Sequence, residues 1–306
     1  MNSTRNTHSL PQNIPEYLEH LRRALAGADP ALVQDALYDA EEYLRSEMAE
    51  QPGRSEAEVI ASVASSYGAP DEVADIYRDT EVKVQTALRP PAPKPRTSLA
   101  GRFFGVAADP RTWSSLFYMV LSLATGIFYF MWVVLGLSIS GGLVIVLIGI
   151  PLLIVFLGSV RLLSLVEGRL VEVMLGERMP RRPLYSARGR DWLQRIGNMF
   201  TDARTWSTLL YMLLMLPLGV IYFTVTVSLL SVALPMVAAP LALLPGLHLD
   251  VWMFGLEIPR QAPFLLPLIS AIGVLLLFVS LHVVRGLGRA HGSIAKHLLV
   301  KTAQYS

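Results

Sequence analysis

Two short strings carry most of the residues in this sequence that could bind something: Asp109-Pro110-Arg111-Thr112-Trp113-Ser114 and, further on, Asp202-Ala203-Arg204-Thr205-Trp206-Ser207. A carboxylate just ahead of a helix accepts from the helix's unpaired first amides. A guanidinium offers a fork of donors that fits phosphate oxygens, and an indole prefers the headgroup layer of a bilayer. Asp109, Arg111, Trp113, Asp202, Arg204 and Trp206 therefore read as interface or lipid anchors. The sharper chemistry open to the same residues is a headgroup- or ligand-binding pair. A third group, Glu167, Arg169 and Glu172, reads as an ion-pair patch on a cytoplasmic helix. His282 reads as a buried or interfacial histidine rather than a ligand, while His291 and His297 stand six apart with no third ligand, too few for a metal site. There is no Gly-x-x-x-x-Gly-Lys loop, nucleophile elbow, paired-carboxylate arrangement or cysteine. No catalytic, cofactor-binding or metal-binding residue is expected, no cofactor is implied, and the chain reads as a non-enzyme.

The elements that must hold these residues are apolar helices. Only 16% of the chain is charged, against about 25% in ordinary soluble chains. Uncharged runs of 49, 45 and 24 residues lie between Arg111 and Arg161, Arg204 and Asp250, and Arg260 and Arg285. About 20 helical residues cross a bilayer core, so the runs predict four spans, near 114–137, 142–163, 207–231 and 263–284. Their interiors hold no Asp, Glu, Lys or Arg, which argues against ion-coupled transport. Pro235, Pro240 and Pro245 predict that 234–260 breaks from the helix and lies at the outer face. Gly149-Ile150-Pro151 and Pro217 predict kinks.

Residues 102–137 and 195–230 are identical at 16 of 36 positions, including Tyr118/Tyr211, Gly126/Gly219 and Tyr129/Tyr222. This reads as an internal duplication. Nine basic residues from Arg161 to Arg204, and the tail with Arg285, Arg289, Lys296 and Lys301, place both regions in the cytoplasm by the positive-inside rule. The two copies are then parallel two-span repeats with both chain ends inside.

Ahead of the spans lies a different kind of sequence. Residues 14–86 carry 16 acidic and 6 basic side chains, a net of −10, whereas 87–306 carries +11. A surface this acidic excludes direct nucleic-acid binding. Apolar stripes at helical spacing (Ile14, Tyr17, Leu18, Leu21, Leu25; Val33, Ala36, Leu37, Ala40, Leu44; Val59, Ile60, Val63, Tyr67; Val73, Ile76, Tyr77, Val84) predict four short helices. Asp29-Pro30 and the capping box Ser55…Glu58 predict two helix starts, and Gly68-Ala69-Pro70 a stop and a restart. The organisation is a disordered 1–13, an acidic cytoplasmic helical domain 14–86, a Pro-rich linker 87–98 and a first membrane repeat 99–194. A second repeat, 195–306, includes the outer segment 234–260. The fold class is all-α: a small helical bundle plus a four-span membrane domain.

Tyr17-Leu18-Glu19-His20-Leu21, Asp39-Ala40-Glu41-Glu42-Tyr43-Leu44 and Gly68-Ala69-Pro70-Asp71-Glu72-Val73-Ala74 resemble the HAAS signalling domain. This resemblance implies a bacterial cytoplasmic module found on membrane proteins encoded near PadR-type regulators. Asp109–Gly126, Ile148-Gly149-Ile150-Pro151-Leu152, Glu167-Gly168-Arg169, Asp202–Gly219 and Arg285-Gly286-Leu287 resemble the bacterial "Sensor" membrane domain. Together the resemblances imply a non-enzymatic sensor in the bacterial inner membrane. Its partners would be the lipid bilayer and a cytoplasmic regulator, PadR-type or other, or a membrane-complex partner; a homo-oligomer is compatible. The alternatives are a lipid-handling or transport protein, or a structural subunit. The charge split adds an expectation: the acidic domain docks on the basic Arg161–Arg204 loop.

Overall fold

The computed structural model describes residues 11–88, 98–143, 145, 148–180, 202–244, 252–253 and 256–300. Residues 1–10 of the expected disordered segment, 89–97 of the Pro-rich linker and 181–201 of the basic loop lie outside them. The fold is all-helical apart from a two-residue antiparallel pair, Trp252–Met253 with Leu256–Glu257.

The N-terminal domain has four helices: α1 (Ile14–Ala24), α2 (Pro30–Glu50), α3 (Glu56–Ser66) and α4 (Pro70–Leu88). The expected starts are present. The Asp29 carboxylate accepts from the Ala31 amide at 2.9 Å. The Ser55 amide donates to Glu58 Oε2 at 3.0 Å and the Glu58 amide donates back to Ser55 Oγ at 3.4 Å. These bonds hold the Glu58 carboxyl below its usual range. Gly68 takes φ +118°, a backbone geometry that favours glycine. Tyr17, Leu21, Leu25, Ala36, Leu44, Val59, Ile60 and Val63 fill one core. Fully burying each of its leucines or isoleucines contributes about 1.5–3 kcal/mol. Two tyrosines keep their hydroxyls bonded at the edge of this core: Tyr17 donates to the Gly68 carbonyl at 2.8 Å and Tyr77 to Asp39 at 2.9 Å. Burial pushes both hydroxyls up, so they stay protonated as donors. Ile76, expected in the fourth stripe, faces out instead, and the Val84 side chain lies outside the described residues.

Among the described residues, four helices are long and apolar enough to cross a membrane: 110–143, 149–175, 203–243 and 263–299. They comprise α6 (Pro110–Leu143), α7 (Gly149–Leu175), α8 (Ala203–Ala238) and α10 (Leu266–Leu299). A short helix, α5 (Leu99–Phe104), precedes them, and α9 (Ile258–Gln261) precedes α10. Phe103 and Phe104 of α5 pack on Phe278 of α10, and His282 stacks on Phe103 and donates to its carbonyl at 3.1 Å.

α6 and α8 overrun the expected spans at both ends, whereas α7 and α10 overrun them only at their C-terminal ends, α7 beginning at Gly149 rather than near 142. α8 continues through Pro217 and Pro235 to Ala238, and a 3-10 turn carries the chain to Leu243. The break expected at Leu234 is therefore absent. Where helix neighbours replace water, the backbone ladder closes around a proline rather than opening. Gly149-Ile150-Pro151 forms the first turn of α7, where a proline costs no hydrogen bond.

Polarity is arranged oppositely in the two domains. In the membrane unit Trp113, Phe117, Ile127, Val155, Leu210 and Val220 face outward, while Thr112, Ser122, Glu167, Thr226, Ser280 and His291 are buried. α6 and α8 come into close backbone contact at Gly126 and Gly219. A Cβ on Gly126 would strike the Met215 carbonyl, and one on Gly219 would strike that of Ser122. Small residues permit this backbone approach, and the contact replaces hydrophobic driving force between helices in lipid.

Candidate functional site

Next to this crossing, the membrane unit encloses a polar cluster. Glu167 on α7 is fully buried. Its Oε1 accepts from the hydroxyls of Tyr118 (2.6 Å) and Tyr211 (2.8 Å), and its Oε2 from Tyr129 (2.9 Å). His291 on α10 is also fully buried. Its Nε2 lies 2.7 Å from the Tyr118 hydroxyl and 3.1 Å from that of Tyr211, and its Nδ1 lies 3.4 Å from Tyr222.

Donor accounting gives the cluster a direction. A tyrosine hydroxyl has one proton. Tyr118 and Tyr211 give theirs to Glu167, so His291 Nε2–H must donate to their oxygens. Tyr222 then donates to Nδ1. The chain of bonds runs from Tyr222 through His291 and the two central tyrosines to the carboxyl of Glu167. The cluster can hold or redistribute protons and can pull α6, α7, α8 and α10 together. Groups this polar inside an apolar bundle are expensive unless mutually satisfied, and such groups mark functional sites by default.

Matched positions build it. Tyr118 and Tyr211, and Tyr129 and Tyr222, are the repeated tyrosines of α6 and α8. The partner helices carry a second match: Arg161, Glu167 and Gly168 on α7 have the same spacing as Arg285, His291 and Gly292 on α10, with His291 standing where α7 has Glu167. Glu167 and His291 both lie eight residues before the helix end. The arginines cross over: Arg285 of the second half pairs with Asp109 of the first at 2.7 Å, and Arg161 of the first with Asp202 of the second at 3.6 Å.

Several expectations change. Glu167 does not belong to the expected ion-pair patch. Arg169 and Glu172 pair on the surface at 2.5 Å, but a residue two positions away on a helix points to the opposite side. The apolar bundle is not free of ionisable groups, because α7 runs on past Arg161 and carries Glu167 inward. His291, set aside for want of a metal partner, belongs to the cluster. The signal was available: a tyrosine repeated within an apolar helix needs a buried partner for its hydroxyl.

The anchors are placed as follows. Asp109 and Asp202 cap α6 and α8, accepting from Arg111 N (3.0 Å) and Arg204 N (3.2 Å). The Arg111 guanidinium lies beside Gly176 at the end of α7, whereas Arg204 lines a pocket with Arg161. Trp113 and Trp206 are about half exposed; Trp113 donates to the Ala107 carbonyl at 2.8 Å.

The N-terminal domain meets the membrane unit through ion pairs just beyond the cluster. Arg178, three residues after α7, pairs with Asp35 at 3.2 Å and with Glu81. Lys296, near the end of α10, pairs with Asp29 at 2.6 Å. The part of the expected docking loop within 181–201 lies outside the described residues.

Four long apolar helices around a buried polar cluster define a multi-pass membrane protein. The family model for Sensor, described as "Putative sensor", matches residues 118–299, and the chain belongs to that family. No curated protein and no solved structure matches it.

Proposed function

We propose that the chain is a non-enzymatic membrane sensor in which the Glu167–tyrosine–His291 cluster sets the positions of α7 and α10 and the acidic N-terminal domain reports them. One observation carries this reading: the two helices that supply Glu167 and His291 are the two whose ends hold the N-terminal domain, through Arg178 and Lys296. A change in cluster bonding shifts those ends, and a paired side chain at a domain boundary responds to small shifts because ion-pair strength falls steeply with separation. The N-terminal domain lies in the cytoplasm on this reading, as the basic loop and tail argue. Its resemblance to HAAS domains supports a signalling output to a cytoplasmic regulator. The duplication explains why two halves converge on one cluster.

Hydrogen exchange of the full chain in liposomes tests the coupling. Glu167→Gln, which retains shape but replaces one acceptor with a donor, is expected to raise exchange in α2 around Asp29 and Asp35. Unchanged α2 protection, with the variant folded, would remove the proposed link between membrane unit and N-terminal domain.

A further inference from the structure

We infer that the pocket between α7 and the start of α8 binds the phosphate group of an anionic ligand, a lipid headgroup or a free phosphate ester. Val160, Arg161, Ser164, Leu165, Asp202, Arg204, Thr205 and Thr208 line it. Two guanidiniums and three hydroxyl side chains are the donor set that phosphate oxygens require. Arg161 lies at long range from its partners among the described residues, 3.6 Å from Asp202 and 3.3 Å from Thr205 Oγ1. Those lengths are well beyond the roughly 2.7–2.9 Å of a strong charge-assisted bond. With one carboxylate against two guanidiniums, the pocket keeps a positive excess.

The matching place between α10 and the start of α6 shows what this site looks like when closed. There the ion pair is tight, Arg285 to Asp109 at 2.7 Å. Gly288 lets α10 press against α6: a Cβ at Gly288 would lie 2.9 Å from Ser115 Oγ and 3.3 Å from Leu175. Arg111 is laid against Gly176. At the corresponding places around the pocket, Ser164 of α7 stands for Gly288 of α10 and Thr208 of α8 for Ser115 of α6. Each adds bulk, so α7 stands off from α8, the pair stretches and a polar cavity remains. Arg161 and Arg204 also bound two of the uncharged runs, which puts the pocket at headgroup depth with the half-exposed Trp206 beside it. This site is separate from the cluster, and its occupancy does not depend on the sensing role.

Native mass spectrometry of the full chain, with phosphatidylglycerol or phosphatidylcholine added, tests the assignment. Retained phosphatidylglycerol is expected to fall about tenfold in Arg204→Gln, from the loss of charged hydrogen bonds. Arg111→Gln, the same change in the closed half, should leave it unaltered. Thr208→Val, nearly isosteric and safe for folding, should reduce it about threefold. Inorganic phosphate is then added as competitor: displacement of the lipid identifies a free phosphate ester as ligand, and retention identifies the headgroup. Equal losses in Arg204→Gln and Arg111→Gln, no loss in either Arg204→Gln or Thr208→Val, or phosphatidylcholine retained as well as phosphatidylglycerol would overturn the site.

Discussion

The two halves of the membrane unit place the same residue types at the same positions and then depart at a few. Tyr118 and Tyr211 both reach Glu167, and Gly126 and Gly219 make the same backbone approach from opposite sides. Yet the partner helices bring a carboxylate in one half and an imidazole in the other. One crossed ion pair is 2.7 Å and the other 3.6 Å. Matched positions build the scaffold, and the departures make the acceptor, the donor and the pocket. The lesson is that chemistry in this bundle sits where its matched positions stop agreeing.

The strongest way to break this comparison is at its centre. Glu167→Ala leaves three tyrosine hydroxyls without their acceptor inside an apolar bundle, and should cost about 3–5 kcal/mol of stability, measured by thermal unfolding in detergent. His291→Ala should cost clearly less, because the tyrosines still donate to Glu167. Equal costs would mean that the two positions are interchangeable. The glycine crossing comes next. Gly126→Ala and Gly219→Ala should each destabilise by about 1–3 kcal/mol and by similar amounts; a large inequality would show that the halves do not share the contact.

The ion pairs give a smaller and unequal effect. Arg285→Gln, which strands the capping carboxylate of Asp109, should cost about 1–3 kcal/mol, whereas Arg161→Gln should cost under about 1 kcal/mol. The same unfolding assay measures both. The smallest contrast lies among the tyrosines. Tyr118→Phe breaks a bond on each side of the cluster and should lower stability by about 1–2 kcal/mol, while Tyr222→Phe, whose contact is 3.4 Å, should cost about 0.5 kcal/mol.

Much of the architecture was legible in the sequence. Uncharged runs separated by arginines gave the four apolar helices, because burying charge in lipid is costly. Period and capping chemistry gave the N-terminal bundle down to the Ser55–Glu58 reciprocal bonds. The helix through Pro235 was missed because a proline's penalty was weighed as in water. Glu167 was read as part of a surface patch because the apolar run ends at Arg161, and a run of composition does not say which way the next turn of helix points. His291 was missed because the two halves were aligned only through α6 and α8. Aligning α7 with α10 on Arg161 and Arg285 sets His291 opposite Glu167. The loosening at Arg161 depends on the bulk of Ser164 and Thr208 acting across two helices, which no local pattern displays.

The central claim is that the cluster governs the N-terminal domain. The chain has no cysteine, so spin labels can be placed at Ser46→Cys on α2 and Val173→Cys on α7, both exposed positions. The distance between them can then be measured by pulsed electron paramagnetic resonance in liposomes. The account predicts a narrow distribution with Glu167 in place, and a shifted or broadened one in Glu167→Gln. Superimposable distributions from two folded proteins would contradict it.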